Sequence, residues 1–135
     1  MKIIVTGAAG YIGGTFCCES LKKYEVLGID NFINSSESAI NRIHEAYPNF
    51  AFEELDLAKN SKHLKKIVNS FEPDIVVHFS GLKSVEETEA KPCHYWENNL
   101  FSTLNLLDSI DCNKTKFIFS SSATVYGTTQ EQPIK

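Results

Sequence analysis

Residues 2–14 read KIIVTGAAGYIGG, a β-branched run that stops at a cluster of glycines. Lys2 to Thr6 has the composition of a strand covered on both faces, ending where Gly7 begins a tight turn. From Tyr11 to Lys23 the pattern becomes helical, with Ile12, Phe16 and Leu21 expected inward and Glu19, Lys22 and Lys23 outward. Strand, glycine turn and helix in direct succession open an α/β unit. Gly7, Gly10 and Gly13 form G-x-x-G-x-x-G, and each has a mechanical use. Gly7 lets the chain turn sharply, Gly10 lets backbone approach a diphosphate, and Gly13 lets the helix lie close to the sheet. The helix N-terminus then offers open N–H groups and the positive end of its dipole to an anion.

The alternation continues outward from this unit. Val26 to Asp30 is a second strand, and serines 35, 36 and 38 supply cap candidates for a helix to about Tyr47, which Pro48 ends. Phe50 to Leu55 reads as a third strand, Ser61 to Phe71 as a helix, and Asp74 to Phe79 as the best buried strand of the chain. Pro92 suits the first turn of a long helix running to about Asp111. On it Trp96, Leu100, Thr103, Leu104 and Leu107 recur at helical spacing and are expected to be mostly core. Lys116 to Ser120 makes a fifth strand. The expected fold is α/β, a Rossmann-like doubly wound parallel sheet with helices on both faces, truncated after about five strands. The segment from Ser121 to Lys135 contains Gly127 and Pro133 and ends as if within a loop, so residues 1–135 read as one incomplete domain.

Composition narrows the partners. The 135 residues are 42% hydrophobic, enough for one core, and carry 13 Lys plus Arg against 17 Asp plus Glu, a net charge of −4. That balance argues against nucleic acid as a partner. No apolar run approaches the roughly 20 residues of a membrane helix, and no signal-peptide core follows Met1, which points to a cytoplasmic protein without membrane contact. Cys17, Cys18, Cys93 and Cys112 lack both a C-x-x-C pair and disulfide-framework spacing, and His44, His63, His78 and His94 are scattered, so no metal site is expected. His78, at the end of a buried strand, suits a hydrogen-bonded structural role. Lys59, Lys62, His63, Lys65 and Lys66 suit the solvated face of a helix.

Asp30 closes the second strand seventeen residues after Gly13, where a carboxylate can accept hydrogen bonds from a ribose and repel a 2′-phosphate. In that order of elements the reading is a dinucleotide site favouring NAD over NADP, whereas alone Asp30 would be a turn cap beside Asn31. Asp56 and Leu57 end the third strand, where they suit either an adenine or a plain turn acid with a core leucine. Phe79 to Lys83 follows the fourth strand at the carboxyl edge of the sheet, and Lys83 there is either a cofactor contact or a solvated loop cation. Ser120, Ser121 and Ser122 follow the fifth strand and suit either a substrate hydroxyl or a turn.

GAAGYIGG (7–14), IDNFINSS (29–36), HFSGLKSVEE (78–87), ENN (97–99) and FSSSATVYG (119–127) together resemble UDP-glucose 4-epimerase, of the extended short-chain dehydrogenase/reductase superfamily. The resemblance covers the whole chain but only the N-terminal part of the family. It implies that Tyr11 and Ile12, Asp30, Asn31, Phe32, Ile33, Asn34 and Ser35, Asp56 and Leu57, Phe79, Ser80, Gly81, Leu82 and Lys83, and Asn98 contact NAD. Helical-wheel counting alone does not choose between Asn98 and Asn99. The resemblance further implies that Ser122 is catalytic and bonds the 4-hydroxyl of a UDP-sugar substrate, that UDP-glucose and UDP-galactose interconvert by transient oxidation at C4 in galactose metabolism, and that the protein is a homodimer. The cofactor carries the difficult step and the protein orients it.

The resemblance has gaps. The family's Tyr-x-x-x-Lys base is not matched, for four residues after Tyr126 stands Gln130. Gly14 and Thr15 stand where Ser-His is frequent, and Glu86 where glycine is usual. Ala123 and Thr124 replace the acidic pair of related sugar-nucleotide dehydratases. The 135 residues are therefore expected to be inactive alone. A stand-alone NAD-binding module without catalysis, or part of a dehydratase or decarboxylase, are the alternatives.

Overall fold

A computed structural model describes residues 1–84, 89–122 and 125; Glu86, Ala123, Thr124, Tyr126, Gly127, Gln130 and Pro133 lie outside the described residues. Within them, strands and helices alternate as β1 (Lys2–Thr6), α1 (Tyr11–Leu21), β2 (Glu25–Asp30), α2 (Glu37–Ala46), β3 (Ala51–Glu54), α3 (Ser61–Phe71), β4 (Ile75–His78), α4 (Pro92–Ser109) and β5 (Lys116–Phe119). The strands form one parallel sheet in the order β3-β2-β1-β4-β5. Val5 on the central strand lies opposite Gly28 on β2 and Val77 on β4, and the side chains of Ile3, Ile4 and Val5 are all buried. The five expected strands are thus present, with ends that differ by a residue or so.

Alternate side chains of each strand feed two cores, one on each face of the sheet. On one face Ile3, Val5, Val26 and Val77 pack with Cys17 of α1 and Ile40 and Ile43 of α2. On the other Ile4, Leu27, Ile29 and Val76 pack with Leu64 and Val68 of α3 and Leu106 of α4. The lysines of α3 and the adjoining Lys59 are exposed as expected, and Lys65 reaches across to Asp108 of α4 at 2.7 Å. Cys17, Cys18, Cys93 and Cys112 are all free thiols, and burial pushes the Cys17 thiol up to about 12.

Two helix faces differ from the sequence expectation. On α1 the buried residues are Gly13, Cys17 and Ser20; Phe16 and Leu21 pack half-buried against the first core as expected, while Ile12 is 56% exposed. The turn from β1 is so tight that only a small residue can face it: a Cβ at Gly13 would stand 2.1 Å from the Gly7 carbonyl oxygen. On α4 the buried residues are Tyr95, Ser102, Leu106 and Ser109, whereas Trp96, Leu100, Leu104 and Leu107 are exposed, Trp96 by 71%. The four apolar residues of the expected stripe face away from the sheet, while Thr103, expected with them, is half-buried and meets His78 at the end of β4.

Candidate functional site

The chain leaves β1 toward β2 and β3 on one side and returns to β4 and β5 on the other, so the loops after β1 and β4 diverge at the carboxyl edge of the sheet. Open α/β sheets bind ligands at such a switch point. A cleft opens there, lined by Gly7 and Gly10 after β1, Asp30, Asn31, Ile33 and Asn34 after β2, and Leu55, Asp56, Leu57 and Ala58 after β3. Phe79, Ser80, Gly81, Leu82 and Lys83 after β4, with Asn98 and Ser102 of α4, complete its wall.

The floor is bare backbone. Gly7 has φ +72°, and a Cβ there would meet the Phe79 carbonyl carbon and the Ser80 nitrogen at 2.9 Å. The glycine turn and the loop after β4 therefore touch main chain to main chain. Gly10 caps α1 without a side-chain hydrogen bond, and the Gly14 amide is the first to bond back, to Gly10 O at 2.8 Å. Among the described residues the amides of Tyr11, Ile12 and Gly13 have no partner. These are three unsatisfied donors at the positive end of a helix dipole, beside a turn no side chain can fill.

Asp30 is 8% exposed and is the organising acid of the opposite wall. Its Oδ2 accepts the Ala9 amide at 3.0 Å, and its Oδ1 accepts the Phe32 amide and the Ser35 hydroxyl, both at 2.9 Å. It thus ties the glycine turn to the loop after β2. Phe32 sits in the left-handed region at φ +56°, held by that bond and by its ring against Phe52 at 5.4 Å. After β3, Asp56 accepts the Ala58 amide at 3.0 Å and pairs with Lys59 at 3.0 Å, while Leu57 is buried in the second core. The turn acid and the core leucine of the alternative reading are both realised, and both residues still line the cleft.

Helix α4 fixes the outer rims. Asn99 Oδ1 accepts the Leu82 amide at 2.7 Å and its Nδ2 donates to Leu82 O at 2.9 Å, while Asn98 Nδ2 donates to Asn99 Oδ1 at 3.1 Å. Asn105 Nδ2 donates to the carbonyls of Leu57 and Ala58 at 2.8 and 3.1 Å. Both asparagines of the pair thus have work: Asn98 lines the cleft and Asn99 clamps its wall.

Most expected site residues converge here. Gly13, Phe32 and Ser35 stand behind the lining, supporting it. Tyr11, 89% exposed, and Ile12 are not among the residues lining the cleft; Gly7 and Gly10, which precede them, are. Ser122 is exposed beyond β5 and is not among the residues lining the cleft. Sequence reasoning missed Leu55, Ala58 and Ser102 in the wall and the clamps of Asn99 and Asn105. The one available signal was the polar row Asn98, Ser102 and Asn105 at helical spacing on α4.

The family model for GDP-mannose 4,6 dehydratase matches residues 4–135. A UDP-glucose 4-epimerase of Bacillus subtilis is 42% identical over 99% of this chain, which spans 40% of that relative's length. A UDP-glucose 4-epimerase of Klebsiella pneumoniae is 41% identical, with 94% of this chain and 93% of the relative covered. The crystal structure of UDP-glucose 4-epimerase from Bifidobacterium longum in complex with NAD+ and UDP superposes with a TM-score of 0.91 and 41% identity over 99% of this chain and 41% of that one. The chain therefore belongs to the UDP-glucose 4-epimerase family, within the broader group that the dehydratase model describes.

Proposed function

We propose that this chain is the NAD-binding portion of a UDP-glucose 4-epimerase, and that in the whole enzyme it serves the interconversion of UDP-glucose and UDP-galactose. The observation that carries the reading is that one cleft is lined both by the glycine turn, Gly7 and Gly10, which leads straight into three open amides at the start of α1, and by the Asp30 carboxylate. A diphosphate suits the amides, which are open donors at the positive end of the α1 dipole, and glycine at positions 7 and 13 lets the turn close on the loop after β4 and on the start of α1 with no side chain between them. A ribose suits Asp30, whose Oδ2 accepts the Ala9 amide and has lone-pair capacity for a further donor. A 2′-phosphate on that ribose would meet the carboxylate charge, which favours NAD over NADP.

NAD, when bound, supplies a reversible hydride acceptor for the sugar carbon. This chain's own residues bind and orient it. Asn31, Ile33 and Asn34 form the wall beyond Asp30, Leu57 offers apolar surface, and Lys83 offers a cation on the rim. Relatives crystallised with NAD support the same assignment. Ser122 is proposed to bond the substrate hydroxyl and to meet it once the remainder of the enzyme is present. The base, the uridine-nucleotide site and a cytoplasmic location belong to the same proposal. So does a homodimer, for which the exposed stripe Trp96, Leu100, Leu104 and Leu107 on α4 is the contact surface.

Calorimetric titration with NAD+ tests the cofactor assignment. Asp30→Ala is expected to weaken affinity by roughly tenfold or more, the scale of losing hydrogen bonds to a charged group, while Lys65→Ala leaves it unchanged. Equal affinities in the two variants would overturn it.

A further inference from the structure

His78 is 1% exposed at the carboxyl end of β4, directly below the cleft wall. Its Nδ1 lies 2.7 Å from Thr6 Oγ1 and its Nε2 3.0 Å from Thr103 Oγ1, so one imidazole joins the last residue of β1 to the middle of α4. The direction of these bonds follows by elimination. The Thr6 side chain is fully buried and its Oγ1 accepts the Ser80 amide at 3.4 Å. Among the described residues its hydroxyl proton has one available acceptor, His78 Nδ1. A neutral imidazole with Nδ1 unprotonated carries its proton on Nε2 and donates it to Thr103 Oγ1. Thr103 then gives its own proton to Asn99 O at 2.9 Å, in agreement with the bond found there.

Every proton in this series has a single place. The opposite tautomer would leave the Thr6 hydroxyl without an acceptor in a site closed to water, and so would the cation. Both ends of the series meet the same wall: it begins at the Ser80 amide and ends at Asn99, whose side chain grips Leu82 at both its amide and its carbonyl. Between Ser80 and Leu82 lies Gly81, part of the cleft lining.

We propose that Thr6, His78, Thr103 and Asn99 form a one-way hydrogen-bond relay, with His78 held as the neutral Nε2–H tautomer, that sets the shape of the Ser80–Leu82 wall and so positions whatever nucleotide the cleft takes. The relay itself stands on the structure; its effect on NAD rests on the function proposed above. These are positioning residues, since the relay acts through the wall and His78 does not line the cleft. Burial lowers the His78 pKa to about 4, so the imidazole stays neutral throughout the neutral range, and its bonds to Thr6 and Thr103 choose the tautomer.

The test is nuclear magnetic resonance on the full 135-residue chain. Long-range 1H–15N spectra of the wild type are expected to show His78 protonated at Nε2 and bare at Nδ1 at pH 7. Protonation at Nδ1, or at both nitrogens, would overturn the relay without any variant being made. Thr103→Val removes the acceptor, and is expected to speed exchange of the Leu82 amide by roughly tenfold, the scale of one lost hydrogen bond. Thr103→Ser keeps the hydroxyl and is expected to restore wild-type exchange. Unchanged Leu82 exchange in Thr103→Val, or failure of Thr103→Ser to rescue it, would overturn the positioning role. NAD+ titration of the same samples separates the two claims: a wild type with the expected tautomer and exchange but no NAD+ binding would sink the cofactor assignment and leave the relay standing. If Thr103→Val weakens NAD+ affinity and Thr103→Ser does not, both stand.

Discussion

The Asp30 carboxylate accepts the Ala9 amide at 3.0 Å, so the acid that ends β2 is bonded directly to the turn that leaves β1. The two halves of the cleft are therefore one hydrogen-bonded unit before any ligand arrives. A cleft built in this way does not have to assemble on binding, which lowers the ordering cost of capture.

Because three donors converge on Asp30, its loss affects stability as well as affinity. Asp30→Ala leaves the Ala9 amide, the Phe32 amide and the Ser35 hydroxyl without their acceptor. The expected result is a fall of about 2–4 kcal/mol in unfolding free energy by urea denaturation, with part of the loss relieved by water reaching the half-open loop. Ser35→Ala, which removes one of the three donors, is expected to cost about 1 kcal/mol.

His78 gives the fold an acid limit. Its pKa in the folded chain is about 4 against an ordinary 6.5, because burial disfavours the cation. Between these values the unfolded chain binds more protons than the folded one. The contribution is therefore complete above about pH 6.5 and is lost as pH falls toward 4. Over that interval stability is expected to drop by about 3 kcal/mol from this group. The groups packed around it, Thr6, Thr103, Phe117 and Phe119, do not titrate. Denaturation of His78→Gln at pH 7 and pH 5 is expected to show a smaller pH dependence than wild type; an equal slope would assign the acid limit elsewhere.

The exposed stripe of α4 predicts self-association. Trp96, Leu100, Leu104 and Leu107 form a contiguous apolar face of the kind that marks an interaction site. Leu104→Glu, placed in its middle, is expected to shift sedimentation to the monomer and to leave unfolding free energy of the monomer within about 0.5 kcal/mol. An unchanged sedimentation coefficient would remove this face as the contact.

What the sequence made legible was what depends on local pattern. Gly7, Gly10, Gly13 and Asp30 could be placed because their distances from the flanking strands are short and the chain between them is regular. The stripe on α4 was misplaced because periodicity identifies a face of a helix and not what covers it. Here the sheet side is taken by Ser102 and Leu106, whose neighbours Asn98, Asn99 and Asn105 are needed at the strand ends. Asp56 and Leu57 fit two readings in sequence, and the structure realises the bland one while leaving both in the wall. The bonds joining Thr6, His78 and Thr103 span 72 and 25 residues, and no local pattern announces contacts of that separation.

The most direct measurement is a two-dimensional 1H–15N titration of the full chain with NAD+ and, separately, NADP+. The expected result is that the largest shifts fall on the amides of Tyr11, Ile12 and Gly13 and on the Phe32–Ser35 loop, saturating with NAD+ at concentrations at which NADP+ has little effect. Shifts confined to other surfaces, or none at saturating NAD+, would contradict the assignment of the cleft.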